Sequence, residues 1–282
     1  MKGKTVLVTG ATQGIGKVTA LELARMGASV AVTARDRARG EATAEEIKDK
    51  AGAAVELHLC DFASQADIRR FAAEFLAKHD KLDVLVNNAG AINMERRLTP
   101  DGIEMTFAVN HLGYFLLTHL LLPALEAAAP SRIVVVASDA HARGHIDFDD
   151  LMGEKSYAGF RAYGQSKLAN ILFTYELARR LDGKRVTANC LHPGVVATGF
   201  GRNDKSWLSY GIKLVAPFFL TPEEGAQTSI YLASSPDVEG TTGKYFAKSK
   251  EKKSNRESYD RDVQRRLWEV SEKLTGLDKP GT

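Results

Sequence analysis

Hydrophobic positions fall in short, nearly continuous runs rich in β-branched residues, and these runs alternate with segments of helical periodicity. Such runs are typical of strands covered on both faces, as in a parallel sheet. We predict strands at Thr5–Thr9, Ser29–Thr33, Ala54–His58, Val84–Asn87, Ile133–Ser138, Val186–Leu191 and Lys244–Phe246. We predict helices at Ile15–Met26, Gly40–Lys50, Gln65–Lys78, Ile103–Leu125, Tyr163–Leu181, Pro222–Ser234 and Asp260–Leu274.

The repeated strand–helix order predicts an α/β fold, a doubly wound parallel sheet with helices on both faces. We find no internal repeat and no linker, so one domain is expected over residues 1–276, with residues 277–282 as a tail. The longest apolar stretch, Leu112–Leu125, is shorter than the ~20 residues of a bilayer span. It also contains His119 and Pro123, so we predict a buried helix and no transmembrane segment.

Composition argues against a nucleic-acid partner. Lys and Arg number 38 against 35 Asp and Glu, a net charge of +3, and a nucleic-acid footprint needs a concentrated basic face. The most basic stretch, Lys248 to Arg256, is interpreted as a solvated loop. With only Cys60 and Cys190 present, no disulfide framework is expected and a reducing compartment fits. No secretory signal precedes the first strand, so a cytoplasmic location is expected, with peripheral membrane contact left open.

A glycine-rich turn joins the first predicted strand to the first helix. Gly10, Gly14 and Gly16 lie in Thr9-Gly10-Ala11-Thr12-Gln13-Gly14-Ile15-Gly16. Glycine lets a backbone approach a pyrophosphate closely, and the helix N-terminus offers unpaired N–H groups and partial positive charge. Three glycines alone are weak evidence, but their place at the first strand-to-helix turn favours a dinucleotide site.

The end of the second strand selects the dinucleotide. NAD enzymes place an acidic residue there for the ribose hydroxyls, whereas here Ala34 occupies that position and Arg35 follows. A guanidinium suits a 2′-phosphate, so NADP(H) is expected. Asp36 is the alternative acid for NAD, but it follows the arginine and is expected to open the next loop.

Two further turns, which follow the third and fourth predicted strands, each allow two interpretations. The Asp61 carboxylate either accepts a hydrogen bond from the adenine amino group or caps the helix that begins near Ser64. The small residues of Asn87-Asn88-Ala89-Gly90 either allow close approach of the cofactor, with the amides bracing the sheet edge, or form an ordinary turn.

A tyrosine and a lysine four residues apart, Tyr163 and Lys167, share one face of a predicted helix. A phenol titrates near 10, and a neighbouring ammonium lowers that pKa, which suits an acid/base group for alcohol–ketone interconversion. With eight tyrosines in the chain, the spacing alone decides little. Ser138 ends the fifth strand, where it would hydrogen-bond a substrate oxygen. Asn110 lies in an apolar helix and would hold a water that relays protons to Lys167.

Taken together and in order, these motifs and Pro193-Gly194 resemble the short-chain dehydrogenase/reductase family over nearly the whole length. The resemblance implies a Rossmann-like fold and a catalytic tetrad of Asn110, Ser138, Tyr163 and Lys167. The cofactor contacts that it implies are Gly10, Thr12, Gln13, Gly14, Ile15, Gly16, Arg35, Asp61, Phe62, Asn88, Ala89, Gly90, Tyr163, Lys167, Pro193, Gly194, Val196 and Thr198.

Two departures refine the resemblance. Many family members carry a basic residue before the second glycine to hold the NADP phosphate, whereas Gln13 stands here, so Arg35 is expected to act largely alone. The segment between Ser138 and Tyr163 is longer than in the simplest members, which resembles the retinol dehydrogenase-like branch. Ser166–Phe173 and Arg265–Trp268 support that branch.

The inserted segment is rich in possible metal ligands, but no i, i+4 His pair on a helix supports a closed site, so no metal is expected. We interpret it as a solvated loop at the rim of the active site, and His192 as a structural residue. The histidines and carboxylates of the insertion are His141, His145, Asp147, Asp149 and Asp150.

The segment 199–220 is apolar and has no strand pattern. It is either a substrate lid, a helix packed on the core, or an amphipathic helix in contact with a membrane. Its composition indicates a hydrophobic alcohol or carbonyl substrate.

The sequence thus predicts an NADP(H)-dependent alcohol dehydrogenase or carbonyl reductase. A non-catalytic NADP-sensing protein and a reductase of a C=C bond in a large ring remain as alternatives. A homodimer through the two long helices is possible, but core burial explains their apolar faces equally well.

Overall fold

The computed structural model describes residues 1–194 and 220–278. Eight strands form one sheet in the order β3-β2-β1-β4-β5-β6-β7-β8. The strands are β1 (Thr5–Val8), β2 (Ser29–Ala34), β3 (Glu56–Leu59), β4 (Val84–Asn87), β5 (Ser131–Val136), β6 (Val186–His192), β7 (Tyr245–Ala247) and β8 (Lys250–Lys252). The pairs from β1 to β7 are parallel, and β8 pairs antiparallel with β7, which confirms the doubly wound α/β prediction.

Helices cover both faces of this sheet. They are α1 (Gly14–Arg25), α2 (Arg37–Ala51), α3 (Gln65–Leu76), α4 (Met105–Phe107), α5 (Gly113–Ala127), α6 (Gly159–Arg180), α7 (Pro222–Ser234) and α8 (Arg261–Thr275). Alternate strand residues point to opposite faces, so Val6 and Val8 pack with α1, α2 and α7, while Leu7 packs with α3, α5 and α6. This two-sided burial explains why the strands are continuous apolar runs.

The predicted helix Ile103–Leu125 is interrupted. A π-helical turn, Ala108–Leu112, separates α4 from α5, and the buried carboxylate of Glu104 caps α4 by accepting from the N–H groups of Thr106 and Phe107. The whole stretch Met105–Ala127 is long and apolar enough to cross a membrane, but 78% of its most apolar window is buried in the fold. It is therefore the core helix that the sequence predicted.

Two helices begin earlier than predicted. We placed the start of α2 at Gly40 and expected Asp36 to open a loop, but the Asp36 carboxylate accepts from the Arg39 N–H and caps a helix that begins at Arg37. Helix α6 begins at Gly159 rather than at Tyr163, so the tyrosine lies one turn inside the helix.

The basic stretch predicted as a loop contains strand β8, whose three residues are exposed to solvent. Lys248 and Ser249 both have positive φ, 52° and 55°, which is the backbone of a two-residue hairpin turn. Such turns favour glycine or asparagine, and neither is present here, so the sequence carried no hairpin signal. The lysines of an exposed edge strand disfavour pairing with another chain.

Helix α8 folds back across α5 and α6. The Trp268 ring packs on Phe115 and Phe173, with ring centroids 4.9 and 5.9 Å apart. His111, in the π-helical turn, is hydrogen-bonded to Ser271 over 2.8 Å between Nε2 and Oγ. Leu277 also packs against the core.

Acidification is expected to weaken the fold through His111. Complete burial lowers the pKa of His111 to about 3, whereas the unfolded residue titrates near 6.5. Between these values the unfolded chain binds a proton that the native state does not, so stability falls as the pH drops below 6.5. From pH 7 to pH 5 this residue alone contributes a loss of about 2 kcal/mol in the free energy of unfolding.

Urea unfolding of the wild type and of His111→Gln at both pH values measures this effect. The variant is expected to be less stable at pH 7 but to lose clearly less stability on acidification. Equal losses in the two proteins would contradict the assignment to His111.

Candidate active site

The carboxyl ends of four neighbouring strands bring the predicted site residues to one edge of the sheet. Strand β1 leads to Gly10, β4 to Asn88, β5 to Ser138 and β6 to Pro193. Because the strands are parallel and adjacent in the sheet, the loops that follow them meet at this edge, where open α/β sheets bind ligands.

The glycine turn after β1 is packed closely against the turn after β4. Gly10 has φ +64°, and a Cβ built on it would lie 2.7 Å from Ala89 Cα, so only glycine fits. The Asn88 amide donates to the carbonyls of Thr9 at 2.8 Å and Gly10 at 3.1 Å. Asn88 therefore ties the glycine turn after β1 to the turn after β4.

The first helix presents its N-terminus at the same edge. Helix α1 begins at Gly14, which has φ +56°, and the side chain of its N-cap residue Gln13 makes no capping hydrogen bond within the described chain. The first turn, which includes Ile15 and Gly16, carries no acidic residue. The backbone N–H groups of this first turn are therefore available to an anion. Together with the glycine turn they form a site, called here the cradle, that suits a pyrophosphate.

Two arginines lie beside this cradle. Arg35 is exposed directly after β2, while Ala34, at the position where NAD enzymes place an acidic residue, is buried. Arg39 was not foreseen: its guanidinium donates to Gln13 Oε1 at 2.8 Å. The early start of α2 places Arg39 in its first turn, and the glutamine thereby brings a second cation to the place where many family members carry a basic residue.

The turn after β3 contains Asp61 and Phe62. The cap of α3 is Ser64, whose hydroxyl accepts from the Asp67 N–H at 3.2 Å, so the capping interpretation of Asp61 is wrong. The Asp61 carboxylate accepts from the Ala63 N–H at 3.0 Å and stays partly accessible. The Phe62 side chain is buried against Gly113, so that residue offers a ligand its backbone rather than its ring.

Tyr163 and Lys167 share one face of α6, as predicted, and that face meets the end of β5. The Tyr163 hydroxyl is hydrogen-bonded to Ser138. The Lys167 ammonium is buried, donates to the Val136 carbonyl at 3.0 Å, and lies 5.6 Å from the centroid of the Tyr163 ring. A phenol and a hydroxyl are thus aimed at one point, where they can bind the same substrate oxygen.

The electrostatics differ from the sequence expectation. Burial raises the pKa of Tyr163, and the hydrogen bond from Ser138 opposes that shift only in part. Burial also lowers the pKa of Lys167 to about 7, so its charge is easily lost at neutral pH. The expected lowering of the tyrosine pKa by Lys167 is therefore not found, since burial is the largest cause of the shift in both groups.

Asn110 lies in the π-helical turn, a distortion that often accompanies functional sites. Its Oδ1 accepts from the Ala91 N–H at 2.7 Å, and its Nδ2 donates to the Ala91 carbonyl at 2.9 Å and to Ser166 Oγ at 3.0 Å. A Cβ built on Gly90 would lie 3.3 Å from Asn110 Oδ1 and 3.7 Å from Lys167 Nζ, so both side chains border that glycine. Sequence analysis had no signal for the Ala91 and Ser166 contacts.

A network of polar side chains holds the turn that carries Ser138. The His141 ring is hydrogen-bonded to the Ser138 carbonyl at 2.6 Å. Asp139 pairs with His192, 3.0 Å from Oδ2 to Nε2, and accepts from the Tyr245 hydroxyl at 3.0 Å. His192 thus has the structural place that the sequence analysis gave it, and it fixes the turn that carries Ser138.

The possible metal ligands of the insertion are engaged separately. His145 pairs with Glu257 at 2.9 Å. The Asp147 carboxylate accepts from the N–H groups of Asp149 and Asp150, and the Asp150 carboxylate accepts from the Glu154 N–H. Among the described residues these side chains do not converge on one point.

The turn after β6 is described only at its start. Pro193 and Gly194 lie at the edge, and Gly194 has φ +93° with the Leu220 side chain against it. The predicted contacts Val196 and Thr198, and all of the segment 199–220 except Leu220, lie outside the described residues.

Comparison with known proteins agrees with this geometry. The family model for short chain dehydrogenases matches residues 4–209. Retinol dehydrogenase 14 from Homo sapiens is 49% identical, over 99% of this chain and 88% of that protein. Retinol dehydrogenase 13 from Homo sapiens is 47% identical, over 99% of this chain and 86% of that protein.

Solved structures show the same fold. A crystal structure of an uncharacterized protein from Mycobacterium paratuberculosis superposes with a TM-score of 0.80 at 35% identity, covering 98% of this chain and 94% of the other. The RhlG/NADP active-site complex from Pseudomonas aeruginosa gives 0.71 at 28% identity, covering 87% and 94%. With the family model spanning most of the sequence and the motifs gathered at one sheet edge, this chain belongs to the short chain dehydrogenase family, in its retinol dehydrogenase-like branch.

Proposed function

We propose that the protein is an NADP(H)-dependent oxidoreductase that interconverts a hydrophobic alcohol and its aldehyde or ketone. One observation carries the proposal: the Tyr163 hydroxyl is hydrogen-bonded to Ser138, beside a buried Lys167, at the sheet edge that also holds the glycine turn. A phenol and a hydroxyl that converge on one oxygen suit proton transfer to a carbonyl.

The residues present fit the dinucleotide. The glycine turn leads into the N-terminus of α1, which offers N–H groups to an anion, and Arg35 and Arg39 supply positive charge for a 2′-phosphate. Relatives support NADP, because RhlG was solved as an NADP complex. When bound, the cofactor supplies or accepts a hydride at the nicotinamide.

The chain's own residues handle the proton. A raised pKa keeps Tyr163 protonated at neutral pH, so it is ready to donate to a carbonyl oxygen as the substrate is reduced. Ser138 orients that oxygen, and Lys167, next to the phenol, would hold the nicotinamide ribose and return the proton. Asn110 holds the Ala91 backbone through its Oδ1 and, in this proposal, holds the water of a proton relay.

A hydrophobic substrate of the retinoid, steroid or aliphatic aldehyde kind is proposed on two grounds. Relatives that are 47–49% identical over 99% of this chain are named retinol dehydrogenases. The sequence of the segment 199–220 is rich in aromatic and aliphatic residues next to the Pro193 turn, and apolar walls are typical of pockets for such ligands.

A substrate panel tests this function. Retinaldehyde, a steroid ketone and aliphatic aldehydes of increasing length are each assayed with NADPH and NADH, following absorbance at 340 nm. We expect NADPH oxidation with at least one hydrophobic aldehyde, and kcat/KM should rise with chain length. NADPH binding without any oxidation would favour a sensor, and product with an intact carbonyl but a reduced double bond would favour a C=C reductase.

A cytoplasmic location and peripheral membrane contact stay proposals and need imaging of the tagged protein. Pairing of two chains through the long helices is also a proposal, and α8 bears on it. Because Trp268 covers Phe115 and Phe173 within one chain, a homodimer through α5 and α6 would have to form over α8. Light scattering of the purified protein gives the subunit number.

A further inference from the structure

A second group of titratable side chains lies at edge strand β3, which three strands separate from β5 and Ser138. Glu56 and His58 are alternate residues of this strand and so share one face of it, toward α3. His79 follows the end of α3 and stacks on Phe75, with ring centroids 4.4 Å apart. One oxygen or nitrogen of each of these three residues lies within 4.8 Å of the others.

The spacing of the ligand atoms suits a small divalent ion. His79 Nε2 lies 2.7 Å from Glu56 Oε2, and His58 Nε2 lies 3.1 Å from Glu56 Oε1. Zinc binds imidazole nitrogen and carboxylate oxygen at about 2.0–2.2 Å, which places neighbouring ligands of a tetrahedral ion about 3.4 Å apart. Side-chain rotations that move these atoms by about 1 Å would therefore allow His58 Nε2, His79 Nε2 and one Glu56 oxygen to bind a single ion.

His58 is the residue that points to a ligand. Its ring is 5% exposed and is held between Phe71 and Phe75, at 5.1 and 5.9 Å between ring centroids. Despite its closeness to Glu56, the Nε2 atom makes no hydrogen bond with any described residue. A buried polar atom without a partner is costly, and a metal ion would use the lone pair of this nitrogen.

We propose that Glu56, His58 and His79 form a binding site for a divalent transition-metal ion of the zinc type, with water completing the coordination. Two imidazoles and one carboxylate are donors that Zn²⁺ accepts readily, whereas Mg²⁺ and Ca²⁺ prefer oxygen ligands. The site is independent of the proposed oxidoreductase function and shares no residue with it.

Lys78 would compete with a metal ion for the Glu56 carboxylate. Its ammonium donates to Glu56 Oε1 at 2.8 Å and neutralises the carboxylate from the solvent side. A metal ion on Glu56 would displace this exposed ammonium, so Lys78 acts as a competing cation. The bound ion would tie β3, the edge strand of the sheet, to the end of α3.

The site is tested on the full chain with zinc and with cobalt as a spectroscopic probe. We expect one equivalent of Zn²⁺ to bind by calorimetry, visible d–d absorption with Co²⁺, and a thermal midpoint raised by roughly 5 °C at zinc concentrations 100 times the dissociation constant. His79→Gln, at a partly exposed position, should lose at least about tenfold in affinity. His58→Gln should lose the same, with circular dichroism to show that it is folded.

Two further variants separate this site from adventitious binding. Lys78→Gln should bind zinc several-fold more tightly, because the competing ammonium is gone. His145→Gln removes the histidine of an exposed His–Glu pair elsewhere, 2.9 Å apart, and should leave the affinity unchanged. Absence of stoichiometric binding, equal affinity in His79→Gln, or a Lys78→Gln variant no tighter than the wild type would each overturn the proposal.

Discussion

Replacing Tyr163 with phenylalanine is expected to lower kcat by about 10²–10⁴-fold, the range that a positioned general acid contributes. The substitution removes one oxygen and keeps the ring, so the fold and the NADPH dissociation constant should stay near the wild-type values. Steady-state assays with the best aldehyde of the panel and fluorescence titration of NADPH measure the two effects separately.

The matched control is Tyr175→Phe on the same helix. That phenol is bonded to Ser254 at 2.8 Å, away from Ser138, so its loss should leave kcat within a fewfold of the wild type. Turnover near the wild-type rate in Tyr163→Phe would reject the acid/base role. A loss of NADPH binding along with activity would instead mean that the phenol holds the cofactor.

Replacing Arg35 with aspartate is expected to move the cofactor preference from NADPH toward NADH. A hydrogen bond to a charged group contributes about 1.5–3 kcal/mol, or roughly 10–100-fold in affinity, and the new carboxylate would also repel the phosphate. Arg39→Ala should weaken NADPH binding by a smaller factor in the same direction, because this guanidinium reaches the site through Gln13. The ratio of kcat/KM for the two cofactors is the measurement.

Arg37→Ala supplies the control for these charge changes. Arg37 lies in the same first turn of α2 but pairs with Glu41 at 3.5 Å, so its removal should leave the ratio unchanged. An unchanged preference in Arg35→Asp, or an equal shift in Arg37→Ala, would show that net charge or another residue selects the cofactor.

The fold was largely predictable because its strands are buried on both faces. Runs such as Val6–Val8 are apolar throughout, because their side chains pack against helices on both faces of the sheet. Local backbone detail was not predictable. The π-helical turn at Ala108–Leu112 adds less than one residue to a helical period, so it hardly changes the spacing of the apolar residues. The hairpin at Lys248 and Ser249 uses residues without a turn preference.

In the candidate site, the sequence spacing predicted which side chains lie close together, but it did not predict the direction of their pKa shifts. The interval between Tyr163 and Lys167 gave a common helix face, yet their pKa shifts follow from burial, which only the packed structure defines. Arg39 was missed because its direction depends on the cap at Asp36. The contacts of Asn110 to Ala91 and Ser166 join distant parts of the chain and leave no local sequence signal.

The bond between His111 and Ser271 joins the last helix to the residue next to Asn110. Helix α8 is thereby connected to the proposed reaction centre, although it contributes no group to the proposed chemistry. Shortened forms ending before Arg261 would uncover the aromatic rings beneath Trp268 and release the distorted turn from one of its supports. Natural variation in that helix would then tune catalysis from a distance.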